Sequence, residues 1–214
     1  MCLLTVNAHA STVKEGPYVG LGIAGSFDHF DLKTENKATS FGIQKSKNNS
    51  QVLGSAFLGY GFTTCNLFYI GAELGTYFPE RSANLTRPGV TLTAFSFTNR
   101  FSVQDYLTGD FLLGYRPYCC WLLYVRGGAS FSRIRLHQFE NLAAQVPTLE
   151  VRKNKAGGRV GVGINYAFNK NWGLGLDYIY TTYQNFRFFW DQFDQSFNLR
   201  TDSHYLGLST IYSF

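Results

Sequence analysis

Tyr205–Phe214 reads Tyr-Leu-Gly-Leu-Ser-Thr-Ile-Tyr-Ser-Phe, so the chain ends on an aromatic residue. Successive side chains of a β-strand point to opposite faces. One face of this stretch is therefore mostly apolar and the other is mostly small or polar. The apolar face carries Leu206, Leu208, Thr210, Tyr212 and Phe214. A terminal strand of this kind favours a protein whose strands face lipid on one side.

Seven further segments alternate in the same way. In each of them large apolar residues share one face, while glycine and polar residues occupy the other. These segments cover residues 19–27, 55–62, 68–75, 107–115, 123–131, 159–166 and 172–179. Together with the C-terminal stretch, they predict eight strands.

The spacers between these segments alternate in length. The short ones are 63–66, 117–120 and 169–171, and the long ones are 33–50, about 78–100, 136–154 and 188–200. Membrane β-barrels combine short periplasmic turns with longer external loops. The pattern predicts an all-β fold: an eight-stranded antiparallel up-and-down transmembrane β-barrel with four long extracellular loops and both termini on the periplasmic side.

The composition agrees with this fold. Charged residues make up 15% of the chain and aromatic residues 17%, with 22 glycines. No run of about 18 apolar residues would cross a bilayer as a helix. The net charge is +5, but the basic residues concentrate in the predicted loops. We therefore expect solvated loop charge and no nucleic-acid partner.

Aromatic and charged residues indicate which face meets lipid. Aromatic residues gather beside the short turns, and a second girdle is predicted from Phe27, Phe78, Phe101, Phe131 and Tyr180. The charged residues of the strands all lie opposite the apolar row. A soluble sandwich or lipocalin-like barrel would instead expose a glycine-rich face, which is poor strand chemistry. We therefore place lipid against the apolar face.

Five charged residues fall on the inward face of neighbouring predicted strands. They are Glu73, Asp110, Arg126, Arg159 and Asp177. Their similar distances from the short turns predict similar heights, and buried charges need partners. We expect an interior charge network that acts as a structural plug rather than an ion path, since eight strands enclose little more than their own side chains. We expect no metal site and no cofactor.

The C-terminal stretch resembles the closing strand of bacterial outer-membrane β-barrels. Leu206, Leu208, Tyr212 and Phe214 match that pattern, which implies a signal for the barrel-assembly machinery. Residues 17–214 resemble small eight-stranded outer-membrane proteins of the OmpA-transmembrane, OmpX and opacity-protein kind. This resemblance implies an integral protein of a Gram-negative outer membrane that contributes to envelope integrity, adhesion or host contact. Basic residues of the predicted loops would contact lipopolysaccharide phosphates or host ligands.

Two other functions are alternatives to this surface role. A lipid A-modifying enzyme needs a nucleophile beside a base, and only His29 and His204 could meet at the barrel closure. Neighbouring residues point to opposite faces, so Ser203 cannot pair with His204. We expect no catalytic residues and no enzymatic activity. A narrow pore is the third alternative, and the filled interior disfavours it.

The N-terminus and the cysteines are less informative. Residues 1–10 carry a small-x-small site at Ala8 and Ala10 and are interpreted as the remnant of a secretory signal peptide. Residues 11–214 would then form the barrel; a disordered N-terminus is the alternative. In the short turns, Cys65 could form a disulfide with Cys119 or Cys120, or all three could be small rim residues.

Overall fold

The structure, a computed structural model, describes residues 13–36, 41–87, 97–140, 147–190 and 195–214. This part of the chain is almost entirely β-strand. The strands are β1 (Gly16–Asn36), β2 (Phe41–Thr63), β3 (Phe68–Phe78), β4 (Arg81–Arg87), β5 (Phe97–Tyr118), β6 (Trp121–Glu140), β7 (Pro147–Ala167), β8 (Trp172–Tyr183), β9 (Phe186–Trp190) and β10 (Gln195–Ser213). None of the described residues forms a helix long and apolar enough to cross a bilayer.

The ten strands form one closed antiparallel barrel that is eight strands wide, because two pairs of consecutive strands run end to end. β4 continues β3 beyond Pro79, and both pair with β5. Proline lacks the N–H that a ladder needs, which explains the interruption. β9 continues β8 in the same way, and both pair with β10. The barrel closes where β10 pairs with β1. The predicted eight-stranded antiparallel barrel is therefore confirmed.

The register of the ladders fixes the tilt of the strands. Paired residues followed around the barrel from Val19 return to β1 at His29, about ten residues further along. Such a stagger in a closed eight-stranded barrel corresponds to a strand tilt of about 35–45°. The resulting interior is narrow enough to be filled by side chains.

The two faces of the wall differ as predicted. Leu21, Phe111 and Val160 are at least 60% exposed on the outside, while Tyr18 and Tyr124 are almost fully buried inside. Glycines on the inward face make room for these rings. A Cβ added at Gly59 would lie 2.4 Å from the Tyr18 ring, and one at Gly163 would lie 2.4 Å from the Tyr124 ring.

Two aromatic girdles border the apolar outer surface. On β6, the exposed Trp121 and Phe131 lie about ten residues apart, which corresponds to about 25 Å across the bilayer for a tilted strand. Phe27, Phe78 and Tyr180 also occupy the outer boundary, while the side chain of Phe101 lies outside the described residues. Exposed Tyr106, which was not predicted, joins this girdle.

The prediction of four long loops is wrong in extent. β1 and β2 remain paired from Asp31 and Ser46 up to Asn36 and Phe41, through most of the spacer 33–50. The other long spacers are also largely strand where they are described, and residues 88–96, 141–146 and 191–194 lie outside the described residues. Above the membrane the outer face meets water, so these segments lack the apolar row on which the strand prediction relied. The barrel wall thus continues beyond the bilayer. We call this part the extension; it consists of β4, β9 and the outer ends of β1, β2, β5, β6, β7 and β10.

Candidate functional site: the barrel interior

The five charged residues predicted for the interior lie in contact with one another. Arg126 is their centre: its Nη2 lies 2.6 Å from both Glu73 Oε2 and Asp110 Oδ2, and its Nη1 lies 3.1 Å from Asp177 Oδ1. Arg159 Nε lies 3.2 Å from the other Asp110 oxygen. Five consecutive strands of the barrel, β3, β5, β6, β7 and β8, therefore contribute one charge each to a buried cluster, which we name the lower charge layer.

Lys14, which was not predicted as an interior residue, completes the lower charge layer. This residue precedes β1, yet only 1% of its surface is exposed. Its Nζ donates to Glu73 Oε1 at 2.7 Å and lies 3.3 Å from the Tyr124 hydroxyl. With Lys14, Arg126 and Arg159 facing Glu73, Asp110 and Asp177, the formal charges of the layer cancel.

A second cluster, the upper charge layer, surrounds Arg81 near the outer boundary. Arg81 Nη1 donates to Asp28 Oδ1 at 2.5 Å, and Nη2 donates to Asp105 Oδ2 at 2.8 Å.

Hydroxyl groups also donate to the two carboxylates of this layer. Tyr183 and Tyr205 donate to Asp105 at 2.9 and 2.7 Å. Ser203 donates to Asp28, and Ser130 and Ser132 donate to Asp105. Both carboxylates and the guanidinium are almost fully buried.

Apolar side chains follow on the inward face immediately beyond the upper charge layer. Phe30 and Val103 are each two residues beyond an aspartate of that layer, and Ile134 is the register partner of Val103. Together with Leu199, these residues are 0–1% exposed. We refer to these four residues as the apolar cap.

A small cavity lies between the two charge layers in the described part of the chain. It has a volume of about 30 Å³ and is bordered by Arg126 and Asp177 from the lower layer and by Tyr77 and Tyr205. This volume accommodates about two water molecules. Among the described residues, side chains from Lys14 through the two charge layers to the apolar cap therefore occupy successive levels of the interior.

Only part of the signal for the missed residues is present in the sequence. Asp28 continues the inward phase of β1 beyond the segment that was predicted as strand. Asp105 breaks the alternation of β5 and points inward because the register shifts between Asp105 and Leu107. Alternation would have placed Asp105 on the outer face, whereas the inward position of Asp28 calls for a cation. Arg81 supplies it from a segment that was predicted as loop, where alternation alone does not point to a partner.

The two histidines at the barrel closure each contact a different polar side chain. Both are exposed on the outer surface; His29 Nδ1 lies 2.6 Å from Asn48 Oδ1, and His204 Nδ1 lies 2.8 Å from the Tyr178 hydroxyl. Ser203 points inward to Asp28. Among the described residues, no cluster of His, Cys, Asp and Glu could hold a metal and no disulfide joins the turn cysteines.

The closing strand presents its apolar face to the membrane. Leu206, Leu208 and Phe214 are about half exposed or more on the outer surface. The Tyr212 ring packs edge-on against Trp172 and Phe214, with centroids 5.0 and 5.2 Å apart. These contacts place the C-terminal residues in the periplasmic girdle.

Comparison with known proteins agrees with this architecture. The family model described as "Outer membrane protein beta-barrel domain" matches residues 1–213. The 31 kDa outer-membrane immunogenic protein of Brucella melitensis is 27% identical over 175 residues, which cover 78% of this chain and 70% of that protein.

Two solved structures are also similar. Outer membrane protease OmpT of Escherichia coli superposes with a TM-score of 0.54 at 8% identity, covering 97% of this chain and 99% of that one. Neisserial surface protein A gives a TM-score of 0.40 at 12% identity, covering 90% and 97%. At these identities the likeness to OmpT concerns the fold alone.

Proposed function

The chain belongs to the outer membrane protein β-barrel domain family and is an integral protein of the bacterial outer membrane, and we propose that it is a closed, non-enzymatic surface barrel whose basic outer wall binds lipopolysaccharide. The barrel would stabilise the envelope and present its extension to the exterior. A host ligand contacted through the tips of the extension is part of the same proposal.

The filled interior is the observation that carries the structural role. Two layers of buried ion pairs and the apolar cap occupy successive levels of the lumen. Charges that are buried and fully paired favour one packed arrangement, because displacing any partner leaves an unpaired charge. This supports a rigid scaffold rather than a pore. The outward His204 and inward Ser203 likewise support a barrel without lipid A chemistry.

A basic cluster on the outer wall supports the lipopolysaccharide contact. Arg135 of β6 and Arg152 of β7 are direct register partners, and exposed Arg133 lies two residues nearer the membrane. The Arg133 guanidinium stacks over Tyr106 of the outer girdle at 5.9 Å. Arg135 Nη1 also lies 3.6 Å from Glu80 Oε2, at the edge of the cluster. A phosphate would add negative charge beside the three guanidiniums. Arginine suits such a site because its planar fork binds phosphate oxygens in pairs.

The double variant R135S/R152S tests this contact. We expect its affinity for lipid A in detergent micelles, measured by titration calorimetry, to fall about tenfold or more, since charge-assisted hydrogen bonds contribute about 1.5–3 kcal/mol each. K33S removes an exposed cation from β1, on the far side of the barrel, and should leave the affinity unchanged. Equal affinity of the double variant and the wild type would contradict the proposal.

Two further assignments belong to this proposal. Leu206, Leu208, Tyr212 and Phe214 would be the signal that the barrel-assembly machinery recognises, which their outward position on the closing strand supports. Residues 1–10 would be the remnant of a signal peptide. These residues lie outside the described part of the chain.

A further inference from the structure

Residues 13–15, the lead segment before β1, are anchored inside the periplasmic end of the barrel. The Lys14 backbone N–H donates to Ser213 Oγ at 3.0 Å, and Arg116 Nη2 donates to the Val13 carbonyl at 2.6 Å. Glu15 accepts a hydrogen bond from the Thr63 backbone at 3.3 Å. The segment is therefore bound to residues near the ends of β2, β5 and β10, although it pairs with none of them as a strand.

The Lys14 ammonium occupies a site built from a carboxylate and aromatic rings. Its Nζ lies 4.5 Å from the centre of the Tyr124 ring and 5.5 Å from those of Tyr18 and Phe57. Glu73 Oε1 accepts its hydrogen bond at 2.7 Å and also one from the Tyr18 hydroxyl at 3.0 Å. Aromatic faces attract cations, and this attraction grows when water is excluded. The carboxylate selects a cation that still carries N–H donors.

The residues that surround the Lys14 ammonium are part of the barrel wall, whereas Lys14 itself is not. Tyr18, Phe57, Glu73 and Tyr124 lie on β1, β2, β3 and β6, and the register of the ladders sets their positions. Lys14 reaches the site from outside the sheet. Its loss would leave the wall residues in place, with three carboxylates facing two guanidiniums in the lower charge layer.

From this geometry we propose that the floor of the lumen is a binding site for primary alkylammonium ions, filled within the chain by Lys14. The lead segment is a latch that closes the periplasmic end of the barrel. When the Lys14 side chain is shortened to a methyl group, n-propylammonium has the size and the N–H donors to take its place.

Chemical rescue of K14A in the full-length chain tests the proposal. We expect this variant, refolded in detergent micelles, to unfold at a lower urea concentration than the wild type. Propylammonium chloride should raise that midpoint saturably, whereas equal concentrations of sodium chloride or tetramethylammonium chloride should raise it less. The double variant K14A/E73Q, which lacks the carboxylate, should show no rescue. A wild-type midpoint for K14A, or equal effects of the three salts, would overturn the proposal.

A measurement on the wild-type protein covers the case in which K14A does not fold. Lysine acetylation followed by mass spectrometry compares Lys14 with Lys170, an exposed residue of a turn at the same end of the barrel. We expect Lys14 to react at least about tenfold more slowly, because reaction requires the latch to open. Equal rates at the two lysines would show that the site is unfilled in solution and would overturn the proposal.

Discussion

Replacing Arg126 by methionine is expected to lower the free energy of unfolding by about 3–5 kcal/mol, the usual cost of removing one partner from a buried ion pair. Arg126 contacts Glu73, Asp110 and Asp177 at once. Methionine fills much of the same space, so the loss is mainly electrostatic. Lys14 and Arg159 would then be left to balance three buried carboxylates.

Urea unfolding in lipid vesicles measures this effect. V125M changes the neighbouring residue of β6, which points to lipid, and should alter the free energy of unfolding by less than about 1 kcal/mol. R126K keeps the charge but not the planar fork, and should fall between R126M and the wild type. If R126M unfolds at the wild-type urea concentration, the lower charge layer does not stabilise the barrel.

The second large effect is expected for R81M. The variant leaves Asp28 and Asp105 buried without the guanidinium that joins them, again at a cost of about 3–5 kcal/mol. Unlike Arg126, Arg81 lies near the outer boundary, where the wall continues into water. We therefore expect the loss to appear as local opening of the extension while the membrane-embedded part stays folded.

Peptide-resolved hydrogen exchange distinguishes these two regions. In R81M, amides of β4 and of the outer ends of β1 and β5 should exchange faster than in the wild type, whereas amides of β1 near Leu21 should not change. R133M removes an exposed arginine at a similar height and serves as the control. Unchanged exchange in the extension of R81M would mean that the upper charge layer does not hold it together.

The membrane-spanning part of the barrel was predictable because a single physical rule governs it. Hydrocarbon demands apolar residues at every second position, so the alternation around Val19–Phe27 or Leu206–Phe214 identifies both the strand and its outward face. The same rule located Arg126 and its carboxylates, since a charge on the inward phase must find a partner in a narrow lumen.

The extension and the latch were not predictable in this way. Beyond the outer girdle, water replaces lipid and the outer face carries polar residues such as Asn48 and Asn154, so the alternation is lost although the ladders continue. The partners of Arg81 and Lys14 depend on contacts between distant parts of the chain. Arg81 meets residues 24 and 53 positions away, and Lys14 meets one 59 positions away. Sequence periodicity carries no information on such pairs.

We propose that the interior of this outer-membrane barrel is closed to ions. Planar-bilayer recording of the refolded wild-type protein tests it, with insertion verified on the same preparation and an open porin as positive control. A lumen filled by two charge layers and the apolar cap predicts no stepwise current in concentrated potassium chloride. Reproducible current steps that scale with the salt concentration would contradict the claim.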